Sequence, residues 1–332
     1  MKNPSSGAPG DRRQFCGLLF ASAVTALLPW RAGAQHRPPP WAAPVASSRT
    51  VHVGGAAIQI DFSPGAIELS PDTIVQWIEH AARAVTTYYG RFPVSRERIL
   101  VVFAPDRRGV GGGTTWGDVA GFPAFTRIHV GEHSTQQDLT DDWMMTHEMV
   151  HTAFPTQTDD HHWIEEGLAV YVEPIARVQA GFLQPGKIWS DMMRDMPQGS
   201  PQAFDRGLDQ THTWGRTYWG GAQFCLLADV TIRKETQNRK GLQDALRGIV
   251  HAGGTIDQEW PLTKAFTVGD DATGTHVLMN LYSGMRDTPK PVDLDRLWKE
   301  LGVVSDAGGG VRFDDTAPFA AIRQAITRVP QT

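Results

Sequence analysis

The chain has 332 residues, 41% of them hydrophobic and 20% charged, enough apolar material for one large domain or two modest ones and too much for a largely disordered chain. With 31 basic against 36 acidic residues the formal charge is −5, a poor match to nucleic acid or to an anionic membrane surface. The only cysteines are Cys16 and Cys225.

Residues 1–34 read as an export leader. Arg12 and Arg13 precede the apolar run "CGLLFASAVTALLPW", and "AGA" at 32–34 supplies the small residues a processing enzyme needs. The run is short and contains Pro29, so it spans a bilayer poorly; the alternative is an uncleaved anchor. The paired arginines resemble the twin-arginine signal, which exports proteins already folded and implies a bacterial periplasmic or secreted product. Cleavage removes four basic residues and one acidic one, so the mature charge falls from −5 to −8, no stable membrane span is expected, and Cys225 has no partner for an intramolecular disulfide.

"QHRPPPWAAPVASSR", 35–49, reads as a Pro-rich linker, and a folded unit is expected over 50–332, β-rich over 50–135 and helical over 136–332. "TVHVGGAAIQIDF" predicts a hairpin around Gly54 and Gly55. In "SPDTIVQWIEHAARAVTTYYG", Ser70 caps a helix with Pro71 at its first position and Gly90 as its stop, and Ile74, Trp77, Ile78, Ala81 and Val85 share one face. "RILVVFA", 98–104, has the length and branching of a buried strand. The glycine-rich "RRGVGGGTTWGD" predicts a turn leading into a strand near Phe125 to Val130; it lacks the Gly-Lys-Ser/Thr ending of a phosphate loop. Helices are expected over about 138–154, 162–180, 215–235 and 240–251, and "VRF" and "APFAAIRQAIT" predict a last strand and helix. Strands first and helices afterwards make the fold class α+β.

The chemistry concentrates in "HEMVHTAFPTQTDDHHWIEEGLAVYVE", 147–173. On a helix His147 and His151 project from one face a turn apart and can reach one ion, while Glu148 lies about 100° round, able to hold a water without coordinating. A catalytic zinc site needs a third protein ligand, for which His161, His162, Glu165, Glu166 and Glu173 are candidates. A third His six residues after the second is absent, since position 157 is Gln. "HVGEH", 129–133, also spaces two histidines at i and i+4, but Gly131 and the strand-like approach disfavour a second metal site.

Here the stretch resembles the gluzincins, the thermolysin-like and aminopeptidase-like zinc peptidases, whose next helix donates a Glu in W-[LI]-x-E-G-x-[AT]; "WIEEGLAVYVE" matches that pattern. The resemblance implies a thermolysin-like zincin domain with a small N-terminal sheet, Zn2+ as cofactor, Glu166 as third ligand, Glu148 as general base, and a peptide or protein as substrate. Glu173, seven residues on, is expected on nearly the same helix face, where it would accept the free N–H of a ligating His; a surface glutamate is the alternative. "TYWGGAQFCLLADVTIR" is similar to the Y-x-x-G-x-x-x-x-x-L-x-D helix of the glycyl aminopeptidase family, which implies that Tyr218 faces the zinc; a Tyr packed at a helix start is the alternative, and His212 is a weaker candidate for the same role. Two features depart from those peptidases: the G-[AG]-[ML]-E segment that grips a free amine is replaced by "GGGTTWGD", and a C-terminal PDZ domain does not fit in the remaining residues. By analogy with the family, the strand near Phe125 to Val130 is the edge that pairs with an extended peptide. The competing readings are a catalytically silent zinc-containing peptide-binding module and a zinc hydrolase of a non-protein amide; Glu148, which coordinates nothing and serves only turnover, favours an enzyme.

Overall fold

The computed structural model describes residues 39–329, so the leader and the first four residues of the Pro-rich segment lie outside the described residues. The hairpin forms as expected from β1 (Ser47–Val53) and β2 (Ala56–Phe62), with Gly54 and Gly55 both at positive φ. β1 starts three residues before Thr50, where the fold was expected to begin: Ser47 pairs with Phe62, and the Ser48 hydroxyl donates to Asp61 at 2.6 Å. Helix α1 (Pro71–Tyr89) carries the expected Ser70 cap, which accepts the Thr73 N–H at 3.1 Å, and ends on a left-handed Gly90.

Strands β3 (Arg96–Ala104), β4 (Val110–Val119) and β5 (Phe122–Gly131) complete a five-stranded sheet in the order β1-β2-β3-β5-β4. This corrects the reading of the glycine-rich stretch in two ways. The stretch is itself a strand, and it, not β5, is the edge; β5 is bonded to β3 in parallel and to β4 in antiparallel. Glycine is a poor strand former, which hides β4 from propensity reasoning. Packing explains the glycines. A Cβ on Gly113 would lie 2.5 Å from Cγ of Glu148, and one on Gly117 would lie 2.0 Å from the Ile256 carbonyl oxygen.

Paired residues share a face, so the register puts Ile58, Ile60, Glu97, Ile99, Ala124, Thr126, Ile128, Thr115 and Gly113 on one side of the sheet. That side is covered by α1 and by the helix bearing His147; the opposite side holds Arg98 over Phe125 and Arg127 over Trp116.

The helix expected over 138–154 is two, α2 (Gln136–Asp141) and α3 (Met144–His151). The break serves α3: Asp142 is extended, and its carboxylate accepts the N–H groups of Met144 at 3.1 Å and Met145 at 3.0 Å, satisfying donors that a continuous helix would have used internally. α4 (His162–Gln179) runs through Pro174, and α5 (Pro185–Asp195) follows. The helix expected over 215–235 opens with a π-helical turn, Gly215–Gly220, before α6 (Gly221–Glu235). Then come α7 (Leu242–His251), α8 (Leu262–Thr273), α9 (Val277–Met285), α10 (Leu294–Leu301), a small hairpin of β6 (Val303–Ser305) and β7 (Val311–Phe313), and α11 (Ala320–Thr327). Among the described residues no helix is long and apolar enough to cross a membrane.

Candidate metal centre

α3 lies between the sheet and α4, with Met145, Met149 and Val150 buried in the core. His147 and His151 therefore leave the helix on the side facing α4, their rings 5.0 Å apart and nearly perpendicular. Trp143, one turn earlier, packs edge-on to His147 at 5.3 Å.

The return from α3 to α4 is a braced reversal. The Gln157 N–H donates to Glu165 at 3.0 Å, and Thr156 donates its N–H to Gln258 at 2.9 Å and its hydroxyl to the Ile256 carbonyl at 2.6 Å. Glu165 is thus turned away from His147 and His151, towards Gln157 and His162, and its neighbour Glu166 faces the two histidines of α3. Glu166 Oε2 lies 3.1 Å from His147 Nε2 and 3.9 Å from His151 Nε2. His162, a turn before Glu166 on α4, places Nε2 3.3 Å from the other carboxylate oxygen. His161 is directed elsewhere, to the Tyr282 hydroxyl at 3.1 Å.

These ligand-type atoms of His147, His151 and Glu166 all fall within 4.8 Å of one another. Four ligands at about 2.0–2.1 Å around zinc lie about 3.3 Å apart along the edges of a tetrahedron, so the two short separations bracket what an ion would need. Two imidazoles and one carboxylate also leave one position open, the donor set of a catalytic rather than a structural zinc site.

The electrostatics suit a cation. Burial opposes charge on every group, but the hydrogen bond from His147 and, at the acid pH where Glu166 titrates, the charges of His151, His147 and His162 outweigh it and hold that carboxyl well below the usual range. At His147 burial is outweighed by the Glu166 bond and charge, which raise its pKa. His151, buried with less compensation, is pushed down to about 4 and is a neutral imidazole at pH 7, the form that binds metal. Burial lifts Glu148 to about 7, against the opposing pull of His147 and a bond from Thr115. Glu148 is 6% exposed, its Oε2 accepts the Thr115 hydroxyl at 2.7 Å, and it coordinates with none of the three.

The remaining expected residues fall out differently. Glu173 is buried on the expected helix, but it accepts from Arg177 Nη1 at 2.9 Å, and among the described residues His147 Nδ1 has no hydrogen-bond partner. Arg177, at i+4, thus takes Oε1 of Glu173, and the Glu173 charge acts on His147 through space. Tyr218 is half-buried in the π-helical turn, its ring stacked on Trp214 at 5.7 Å. One turn later Gly221 meets Gly167, the neighbour of Glu166: a Cβ on either glycine would lie within 2.8 Å of the other's backbone. His212 is exposed and 3.9 Å from Asp160. Asp229, the acid that closes the Tyr218 motif, is part of the scaffold: it accepts from Arg233 at 2.8 Å, Tyr171 at 3.0 Å and the Leu242 N–H at 3.0 Å.

Sequence reasoning missed Thr115, which holds Glu148, and Gly113, against which Glu148 packs. The available signal was the alternation G-x-T-x-G over 113–117, a period of two that places all three on one strand face. His129 and His133 do not converge. His133 instead groups with Asp106 and Glu132 on the surface, where it also bonds Glu68 at 2.8 Å.

No protein-family model matches the chain, and no curated protein matches it. Among solved structures the fold is similar to an aminopeptidase N family protein from Idiomarina loihiensis, at 11% identity and a TM-score of 0.58, over 77% of this chain and 49% of that one. An M1 zinc metallopeptidase from Deinococcus radiodurans matches at 15% identity and a TM-score of 0.45, over 75% and 55% of the two chains. A variant of that enzyme bound to a Tyr-Ser-Ala substrate matches at 14% identity and a TM-score of 0.45, over 75% and 54%. The chain spans about half the length of these structures, and at such identities the likeness is one of fold.

Proposed function

We propose that this chain is an exported zinc-dependent peptidase of gluzincin type, with His147, His151 and Glu166 as metal ligands and Glu148 as general base. The observation that carries the reading is the convergence of those three side chains from two helices, with a second acid, Glu148, beside them and outside the ligand set. The fold likeness to an aminopeptidase N family protein supports it.

When bound, zinc supplies Lewis acidity that activates a water and polarises a carbonyl. The residues do the rest. Glu148 accepts a proton from the attacking water and delivers it to the departing amine, work for which a pKa lifted towards neutrality fits a carboxyl. Thr115 keeps Oε2 of Glu148 directed at the sheet, so Oε1 is the oxygen left for the water. Tyr218, in the π-helical turn that leads into α6, is assigned to the developing oxyanion on the resemblance of its segment to the glycyl aminopeptidase helix. β4, as the sheet edge next to Glu148, is the strand that an extended peptide would join. Without the acidic segment that grips a free amine, cleavage with loose or internal preference is expected over strict removal of N-terminal residues. The twin-arginine-type pattern of residues 1–34 supports a reaction in the periplasm or outside the cell.

The test is a cleavage profile of a mixed peptide library with and without chelator. Hydrolysis should require the metal, Glu148→Gln should lower it by about 10²–10⁴-fold with zinc retained, and Glu166→Ala should lose zinc on dialysis, read by elemental analysis. Metal-dependent binding without cleavage would identify a silent peptide-binding module, and full zinc occupancy in Glu166→Ala would move the third ligand elsewhere.

A further inference from the structure

Glu97 has no exposed surface and shares a sheet face with Ile58, Ile60, Ile99 and Ile128 and with the hydroxyls of Thr126 and Thr115. Its Oε1 accepts the Thr126 hydroxyl at 2.7 Å; its Oε2 has no hydrogen-bond partner among the described residues. Thr126 stands directly opposite Thr115 in the β4 and β5 pairing, with the two hydroxyl oxygens 2.9 Å apart, and Thr115 reaches Glu148 Oε2 at 2.7 Å. Four side chains from β3, β5, β4 and α3 thus form one chain of three short oxygen contacts, Glu97 to Thr126 to Thr115 to Glu148. The Thr115 contact to the Glu148 backbone carbonyl, at 3.2 Å, is longer than its contact to the carboxylate.

Counting protons decides what this chain is. Three oxygen contacts need three hydrogens, and the two threonines bring two. With both glutamates ionised, Thr126 donates to Glu97 and Thr115 to Glu148, and the two hydroxyl oxygens face each other with lone pairs and no hydrogen between them. One carboxyl proton completes the chain. Glu97 is the better carrier: it is enclosed by apolar side chains and no cation pairs with it, whereas Glu148 lies beside His147 and the proposed metal. Burial and the nearby Glu148 charge push Glu97 up to about 7, against the opposing bond from Thr126.

We propose that Glu97 is held as a neutral carboxylic acid and acts as a positioning residue, sending a one-way series of hydrogen bonds through Thr126 and Thr115 that fixes Glu148 as an acceptor. The donors then run from Glu97 Oε1 to Thr126 Oγ1, to Thr115 Oγ1, to Glu148 Oε2. The order leaves Glu148 no donor of its own on that oxygen and prevents its rotation. The kinetic half of this inference rests on the peptidase reading; the protonation half does not.

Infrared difference spectra of the zinc-loaded protein at neutral pH test the protonation. Wild type should show the carbonyl stretch of a protonated carboxylic acid, Glu97→Gln should lose it, and Glu148→Gln should keep it. A band missing from wild type, or lost in Glu148→Gln, overturns the assignment, whatever the protein hydrolyses. For the positioning, Thr115→Val and Glu97→Leu should lower kcat by about 10–100-fold with KM little changed, as loss of a supporting partner does. Thr115→Ser restores the hydroxyl, and Glu97→Gln restores a donor to Thr126, so each should turn over at least about tenfold faster than its apolar counterpart. Equal losses in Glu97→Gln and Glu97→Leu would overturn the directional series.

Discussion

Asp229 in the helical part and Glu97 in the sheet are both enclosed carboxyl groups, and the protein treats them in opposite ways. Asp229 receives a guanidinium, a phenol hydroxyl and a backbone N–H, so a charge there is paired and both of its oxygens accept hydrogen bonds. Among the described residues Glu97 has one partner, the Thr126 hydroxyl, and no cation. Burial alone does not distinguish a structural charge from a stored proton; the partners do. Asp229 ties α4, α6 and α7 together through Tyr171, Arg233 and Leu242, a scaffold that carries Gly221 to its contact with Gly167. Glu97 ties nothing together except a hydroxyl pair that ends on Glu148.

The contrast can be broken most forcefully at Asp229. Asp229→Ala leaves Arg233 buried without its partner and should destabilise the protein by about 3–5 kcal/mol, read from urea unfolding. A loss below about 1 kcal/mol, the range of an exposed pair, would mean the pairing is not structural.

Glu97 should show a smaller effect that depends on pH. Folding raises its pKa from 4.5 to about 7, so the native state holds the proton more tightly than the unfolded chain. The stability contributed by that proton is complete below the unfolded pKa and lost as pH rises through the folded one. The loss amounts to about 3 kcal/mol between about pH 4 and about pH 8. Glu97→Gln cannot titrate, so the difference between variant and wild type should move in favour of the variant by that amount over the same range. Parallel stability curves would show that Glu97 does not change its protonation on folding.

The smallest effect is expected at Thr126. The isosteric Thr126→Val removes the one hydrogen-bond partner that Glu97 has among the described residues and should cost about 1–2 kcal/mol, while Thr126→Ser should be close to neutral. A Val variant as stable as wild type would sharpen the contrast further, since it would mean that a neutral Glu97 needs no partner at all.

The site divides along the same line in how far it could be read from residues alone. His147, Glu148 and His151 lie within five residues, and helical geometry converts that spacing into a shared face without any long-range information. Glu166 follows from the same short stretch once its resemblance to known zinc peptidases picks it out of five candidates. Glu173 lies on the expected helix, and what the spacing alone did not show is that Arg177, four residues on, bonds one of its oxygens. The edge strand was misplaced because β4 is rich in glycine for a reason absent from β4 itself, the approach of Glu148 and of the loop at Ile256.

What the amino-acid order determined by itself is therefore local: the capped helix α1, the hairpin at Gly54 and Gly55, the apolar strands, and the pair of histidines one turn apart. Tertiary structure alone decided which strand is the edge, where the helix over 138–154 breaks, and which buried acid meets which donor. The physical reason is range. Periodicity and capping act within a few residues, whereas Glu97, Thr115, Thr126 and Glu148 span more than fifty positions and meet only because β-sheet register and helix packing bring their oxygens to hydrogen-bond distance.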